Sequence, residues 1–175
     1  MKEVVIVFGG KSVESEISKK TVLSIYKNID REKFQASLVD YLNFNVQDLN
    51  ENTVVFIAIH GKGGEDGEIQ KILEQQNIPF TGSGYLSSSY CWDKEMSKKI
   101  LIENSINTPE FLHVDNLDID LKKDFFQNPN ESYFVKPTAS GSSFGIKKIN
   151  KLSEIREAVK EALKYSKSAI IERAY

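Results

Sequence analysis

The 175-residue chain, 40% hydrophobic and 27% charged, can bury a core and is long enough for one domain or two small ones, which excludes a disordered or fibrous protein. Its 23 basic and 25 acidic residues leave a net charge of -2 and a pI near 5.8, so no broad cationic surface is offered to a nucleic acid or an anionic membrane. The single cysteine, Cys91, cannot form an internal disulfide, and the apolar run Val4 to Phe8 is too short for a signal-peptide core or a membrane span; the chain reads as cytoplasmic.

In chain order, Val4-Val5-Ile6-Val7-Phe8 is continuously apolar and β-branched and stops at Gly9-Gly10, as a strand buried on both faces does. Val22, Ile25, Tyr26 and Ile29 recur at helical spacing, a second strand is expected around Phe34 to Tyr41, and a third at Val54 to Ile59 again runs into glycine. Ile69, Ile72 and Leu73 mark the next helix. This alternation predicts a parallel sheet with helices on its faces, a fold that binds ligands at the carboxyl ends of its strands.

The pattern changes from Ser87 onward. A helical stretch spans Asp93 to Glu103, an extended piece follows Pro109 to Val114, and a polar segment rich in Asp, Lys and Asn comes next. Then a strand at Tyr133 to Val135, a loop from Lys136 to Gly145, a strand at Ile146 to Ile149, a helix marked by Leu152, Ile155, Val159, Ala162 and Leu163, and a strand at Ala169 to Glu172 make an α+β unit with an antiparallel hairpin. The expected division is 1–92 and 93–175.

All 10 glycines fall in short clusters: Gly9 and Gly10, Gly61 to Gly67, Gly82 and Gly84, Gly141 and Gly145. Gly10-Lys11-Ser12 is not a P-loop, because Val5 stands where that motif needs glycine, and Asp66 breaks a dinucleotide fingerprint in the second cluster. Lys136 to Gly145 combines two glycines, three serines and Lys136, donors suited to fold over a polyphosphate, although a plain hairpin loop fits the same composition. His60 opens a segment with Lys62, Glu65, Asp66 and four glycines, a polar surface suited to a small charged ligand. Glu14 or Glu16 could instead favour a helix N-terminus with Ser12 or Ser15 as its cap, a reading that fits Glu16 better. His113, Cys91 and Trp92 read as structural, and Asp115, Asp118 and Asp120 as a solvated loop.

Together the segments Gly9 to Ser18, Phe56 to Gly67, Pro79 to Gly84, Asp93-Lys94, Phe134 to Pro137 and Gly141 to Gly145 resemble the D-alanine-D-alanine ligases of the ATP-grasp superfamily, in order and spacing. The resemblance implies a Rossmann-like, pre-ATP-grasp α/β domain followed by an α+β ATP-grasp subdomain, the carboxyl-terminal part being absent. It implies that ATP phosphorylates the carboxylate of one D-alanine and that the amine of a second attacks the acyl phosphate, giving a dipeptide for peptidoglycan synthesis. By resemblance, Glu14 and Ser142 are the catalytic residues, joined in a hydrogen-bonded network. Glu14, Ser18 and His60 bind the first substrate, and Lys94, Lys136, Gly141, Ser142, Ser143, Glu172 and Arg173 bind ATP.

The same resemblance implies homodimerisation through the amino-terminal domain and no nucleic-acid or membrane partner. Mg2+ or Mn2+ would be held by ligands past Glu172, in a region that also supplies a lid, a phosphate-stabilising arginine and the second D-alanine site. Ser140 stands where many relatives carry glutamate. The expectation is therefore a ligase fragment that does not turn over alone. Ligases making D-alanine-D-lactate or D-alanine-D-serine, and a non-catalytic binding or dimerisation module, are the alternatives.

Overall fold

The computed structural model describes residues 2–128 and 131–175. The chain divides into two units, Met1–Ser89 and Tyr90–Tyr175.

In the first unit the continuous apolar run becomes β1 (Lys2–Phe8), and its alternating side chains explain why it needs no polar face. Val5 and Val7 join Val55, Ile59, Ile69 and Leu73 in one core, whereas Val4 and Ile6 join Val22 and Ala58 in another. The first core includes helix α2 (Glu68–Gln75) and the second helix α1 (Ser15–Asn28), so β1 is sandwiched. β1 pairs in parallel with β2 (Phe34–Asp40) and with β3 (Thr53–Ile57), in the order β2-β1-β3. β3 ends at Ile57, two residues short of the expected end, yet Ala58 and Ile59 remain buried. All three strands run the same way, so the Gly9-Gly10 turn, Tyr41 and the segment from His60 to Gly67 follow the same, carboxyl end of the sheet.

Helix α3 (Tyr85–Trp92) holds the division between the units and was not expected from the sequence. It buries no residue, and Leu86-Ser87-Ser88-Ser89 offers no apolar period to read.

The second unit begins with α4 (Lys94–Glu103), whose N-cap, Asp93, accepts from the amides of Glu95 at 2.9 Å and Met96 at 3.0 Å, a cap contributing about 1 kcal/mol. The strands β4 (Phe111–Val114), β5 (Tyr133–Pro137), β6 (Lys147–Ile149) and β7 (Ala169–Arg173) form an antiparallel sheet in the order β4-β7-β5-β6. Helix α5 (Ile155–Ala162) covers one face, because Ile155, Ala158, Val159 and Ala162 lie on one helical stripe and are fully buried with Val135, Ile149 and Ile171. Each such valine or isoleucine removed from water contributes about 2 kcal/mol. β5 and β6 form the expected hairpin. His113 on β4 has a carboxylate neighbour, with Nε2 3.3 Å from Glu95 Oε2.

Candidate functional site

In the first unit, residue 14 rather than Ser12 or Ser15 occupies the N-cap of α1, and the Glu14 side chain makes no capping bond. This corrects the expected caps. Ser12 Oγ instead donates to the His60 carbonyl at 2.7 Å and accepts from the Glu14 amide at 3.2 Å, tying the loop after β1 to the loop after β3. Glu16 is in the first turn and pairs with Lys19 at 2.6 Å, an exposed contact. Glu14 is only 5% exposed, an uncommon position for a carboxylate. Gly61, with φ of +72°, makes room for it: a Cβ there would lie 2.5 Å from Glu14 Oε2.

Ser18 is fully buried and accepts from the Gly9 amide at 2.8 Å while donating to the Ala58 carbonyl at 2.6 Å. Its hydroxyl therefore stitches together the ends of β1 and β3. The His60 ring, one-third exposed, has Nε2 2.9 Å from Thr21 Oγ1 and Nδ1 3.9 Å from Glu65 Oε1. Glu14, Ser18 and His60 are thus held at one end of one sheet.

In the second unit, Lys136 on β5 donates to Glu172 Oε1 on β7 at 2.7 Å, a pairing made possible by the antiparallel β5/β7 register. Lys98, the buried residue of α4, holds the other oxygen, with Nζ 3.0 Å from Glu172 Oε2. Burial opposes ionisation of Glu172, but hydrogen bonds from Lys136 and Lys98 and their charges hold its carboxyl below the usual range. Lys94 donates to the Ser140 carbonyl at 2.6 Å. Burial, then repulsion from Lys136, lowers its pKa, with Asp93 acting the other way.

The loop after β5 is anchored on both sides. Thr138 Oγ1 lies 2.9 Å from the hydroxyls of both Ser166 and Ser168, and Lys94 N donates to the Thr138 carbonyl at 2.9 Å. Ser142 and Ser143 adopt φ of +46° and +62°, each costing about 1 kcal/mol for a residue with a Cβ. Gly145, with φ of +70°, closes the loop where a Cβ would meet Tyr165 Cδ2 at 2.6 Å and Pro137 Cγ at 2.8 Å. Phe144 stacks on Tyr165 with ring centroids 6.1 Å apart.

Of the expected nucleotide residues, Lys94, Lys136 and Glu172 belong to one charged cluster, and Gly141 to Ser143 lie on the loop whose Ser140 carbonyl holds Lys94. The Arg173 side chain goes elsewhere. Consecutive strand residues face opposite ways, and its guanidinium pairs with Glu110 at 2.9 Å and Glu131 at 3.2 Å and lies 5.2 Å from the centre of the Phe125 ring. Lys98 was not anticipated. The available signal was its i,i+4 spacing from Lys94, which sets both lysines on one face of α4. Ammonium groups beside an anchored Gly/Ser loop suit phosphate oxygens, and a carboxylate suits the hydrogen-bond donors of a nucleoside. Among the described residues, no group of three or more His, Cys, Asp or Glu side chains could hold a metal ion.

A parallel α/β unit followed by an antiparallel α+β unit with this hairpin is the two-part architecture that the resemblance implies, a Rossmann-like pre-ATP-grasp domain and an ATP-grasp subdomain. Family models described as D-ala D-ala ligase N-terminus and D-ala D-ala ligase C-terminus match residues 40–83 and 100–175, and the chain belongs to the D-alanine-D-alanine ligase family. It is 38% identical over 171 residues to D-alanine-D-alanine ligase B of Clostridium perfringens and 34% identical to a D-alanine-D-alanine ligase of Clostridium botulinum, in each case over 95% of this chain and 56% of the relative. The chain therefore spans a little over half the length of these curated relatives.

Among solved structures, the D-alanine-D-alanine ligase of Bacillus anthracis complexed with ATP is similar with a TM-score of 0.85 and 28% identity, over 100% of this chain and 59% of that one. A D-Ala:D-Ser ligase, VanG of Enterococcus faecalis, is similar with a TM-score of 0.82 and 25% identity, over 98% and 62%. Among the described residues, no helix is long and apolar enough to cross a membrane.

Proposed function

We propose that the chain carries the first-substrate and nucleotide residues of an ATP-dependent, ADP-forming D-alanine-D-alanine ligase acting in peptidoglycan synthesis. The observation that most supports this reading is the cluster of Lys94, Lys136 and Glu172 around an anchored Gly/Ser loop, in a chain whose similar solved structures include a ligase complexed with ATP. In the proposal, Lys94 and Lys136 neutralise phosphate oxygens, the Gly141 to Ser143 segment covers them, and Glu172 accepts from the nucleoside. Phosphoryl transfer to a carboxylate needs alignment and charge neutralisation more than a protein nucleophile, and these residue types supply both.

Glu14 is proposed to bind the ammonium of the first D-alanine, its buried carboxylate being suited to a small cation at the sheet's carboxyl end. Ser18 fixes the loops that carry it, and His60 lies beside the substrate carboxylate. Glu14 and Ser142 are proposed as the catalytic residues, Ser142 acting from the Gly/Ser loop of the second unit. No contact between Arg173 and nucleotide phosphate is proposed, since its side chain is engaged on the opposite face of β7. The second substrate is proposed as D-alanine, after which the curated relatives are named. A cytoplasmic location and pairing of two copies through the first unit belong to the same proposal.

The chain spans 56% of those relatives, and we propose that it does not complete ligation alone. D-alanine titration tests the substrate half: the chain should bind D-alanine, and Glu14→Gln should weaken that binding by roughly tenfold or more, the worth of a charged hydrogen bond. Unchanged binding removes Glu14 from this role. Phosphate release from ATP on adding D-alanine should stay at background, and release at the rate of an intact ligase overturns the claim of inactivity.

A further inference from the structure

Lys98 has no part in the roles assigned above, yet its environment is the most constrained of any lysine described. Its side chain is 8% exposed, and its ammonium meets three fixed acceptors: Thr108 Oγ1 at 2.7 Å, the Pro109 carbonyl at 2.9 Å and Glu172 Oε2 at 3.0 Å. An ammonium has three protons, so this set saturates it. The ion also lies 5.2 Å from the centre of the Phe111 ring. A lysine so enclosed has nowhere else to go. Lys136, on the other oxygen of the same carboxylate, is 23% exposed and donates to Glu172 Oε1 at 2.7 Å.

The two lysines therefore differ in kind. Lys98 is a fixed strut from α4 and the segment before β4, whereas Lys136 can exchange Glu172 Oε1 for a phosphate oxygen. A carboxylate can only accept, so the ligand groups it can recognise are donors. In ATP these are the adenine amino group and the ribose hydroxyls; the polyphosphate has none when ionised.

We propose that Lys98 is a positioning residue of the nucleotide site: it clamps Glu172 Oε2 so that the rest of the carboxylate recognises the nucleoside half of ATP while Lys136 is released to the phosphates. This rests on the nucleotide reading given above and adds to it the residue on which base and sugar recognition depends. Loss of the clamp should separate two affinities that a general loss of structure would lower together.

The test is titration of the 175-residue chain with ATP and with inorganic tripolyphosphate, for the parent, Lys98→Met and Glu172→Gln, with far-ultraviolet circular dichroism to confirm folding. Lys98→Met should lose roughly tenfold or more in ATP affinity and less than about twofold in tripolyphosphate affinity, so that the preference for ATP collapses. Equal losses for both ligands, or unchanged affinities, in a folded Lys98→Met overturn the proposal. If Lys98→Met does not fold, Glu172→Gln carries the same split and the same refutation. A parent chain that binds neither ligand refutes the nucleotide reading itself, and with it this inference; a parent that binds both while the variants keep their preference refutes only the clamp.

Discussion

Gly61 and Glu14 share a space that holds one side chain: a Cβ on Gly61 would stand 2.5 Å from Glu14 Oε2, on a backbone whose φ of +72° already disfavours a Cβ. Gly61→Ala should therefore displace the carboxylate as well as strain the loop, costing about 2 kcal/mol in thermal unfolding and weakening D-alanine binding in parallel. Full D-alanine affinity in this variant would mean that the position of Glu14 is unimportant.

Ser18→Ala leaves the Gly9 amide and the Ala58 carbonyl without their buried partner. The expected loss is about 2 kcal/mol in denaturant unfolding, because buried polar groups retain their full desolvation cost when a partner is removed. A loss confined to substrate affinity, with stability intact, would show that the hydroxyl serves the ligand rather than the loops.

Thr21→Val removes the hydroxyl 2.9 Å from His60 Nε2 at nearly constant volume. One hydrogen bond of about 1 kcal/mol orients the ring, so D-alanine affinity should fall by roughly fivefold with little change in melting temperature. An unaltered affinity excludes ring orientation as a determinant of binding.

The Glu172 carboxyl is held below its usual value of 4.5 in the folded chain. Between the folded value and 4.5 the unfolded chain binds more protons, so stability rises with pH across that window. The contribution is complete above about pH 4.5 and is lost as the pH falls through the folded pKa. Glu172→Gln should flatten this part of the stability profile and, by leaving Lys98 as a buried charge without its counterion, cost about 3 kcal/mol at neutral pH. An undiminished acid slope in the variant assigns that slope to other carboxylates.

The strands and the α5 stripe were legible because periodicity reports burial: the unbroken Val4 to Phe8 run could only be a strand covered on both faces, and Ile155, Val159 and Ala162 repeat with the helix. Gly9-Gly10 and the glycines from Gly61 to Gly67 marked the loops at the carboxyl end of the parallel sheet, because glycine adopts the positive φ those loops need. Helix α3 was illegible because it buries nothing and so carries no period. Lys98 was hidden differently. Burial of a lysine depends on Glu172, 74 positions away in the chain, and no local pattern reports a partner that the fold brings from such a distance. The turn of Arg173 to the face of β7 opposite Glu172 follows from strand alternation, but its partners Glu110 and Glu131 are known only from the fold.

Nucleotide binding by the 175-residue chain tests the central claim most directly. Calorimetric titration should show saturable ATP binding that Lys136→Met weakens by roughly tenfold or more, the loss expected when a charge-assisted contact to phosphate is removed. A folded chain with no measurable ATP affinity, or a Lys136→Met variant that binds ATP as the parent does, would contradict the account.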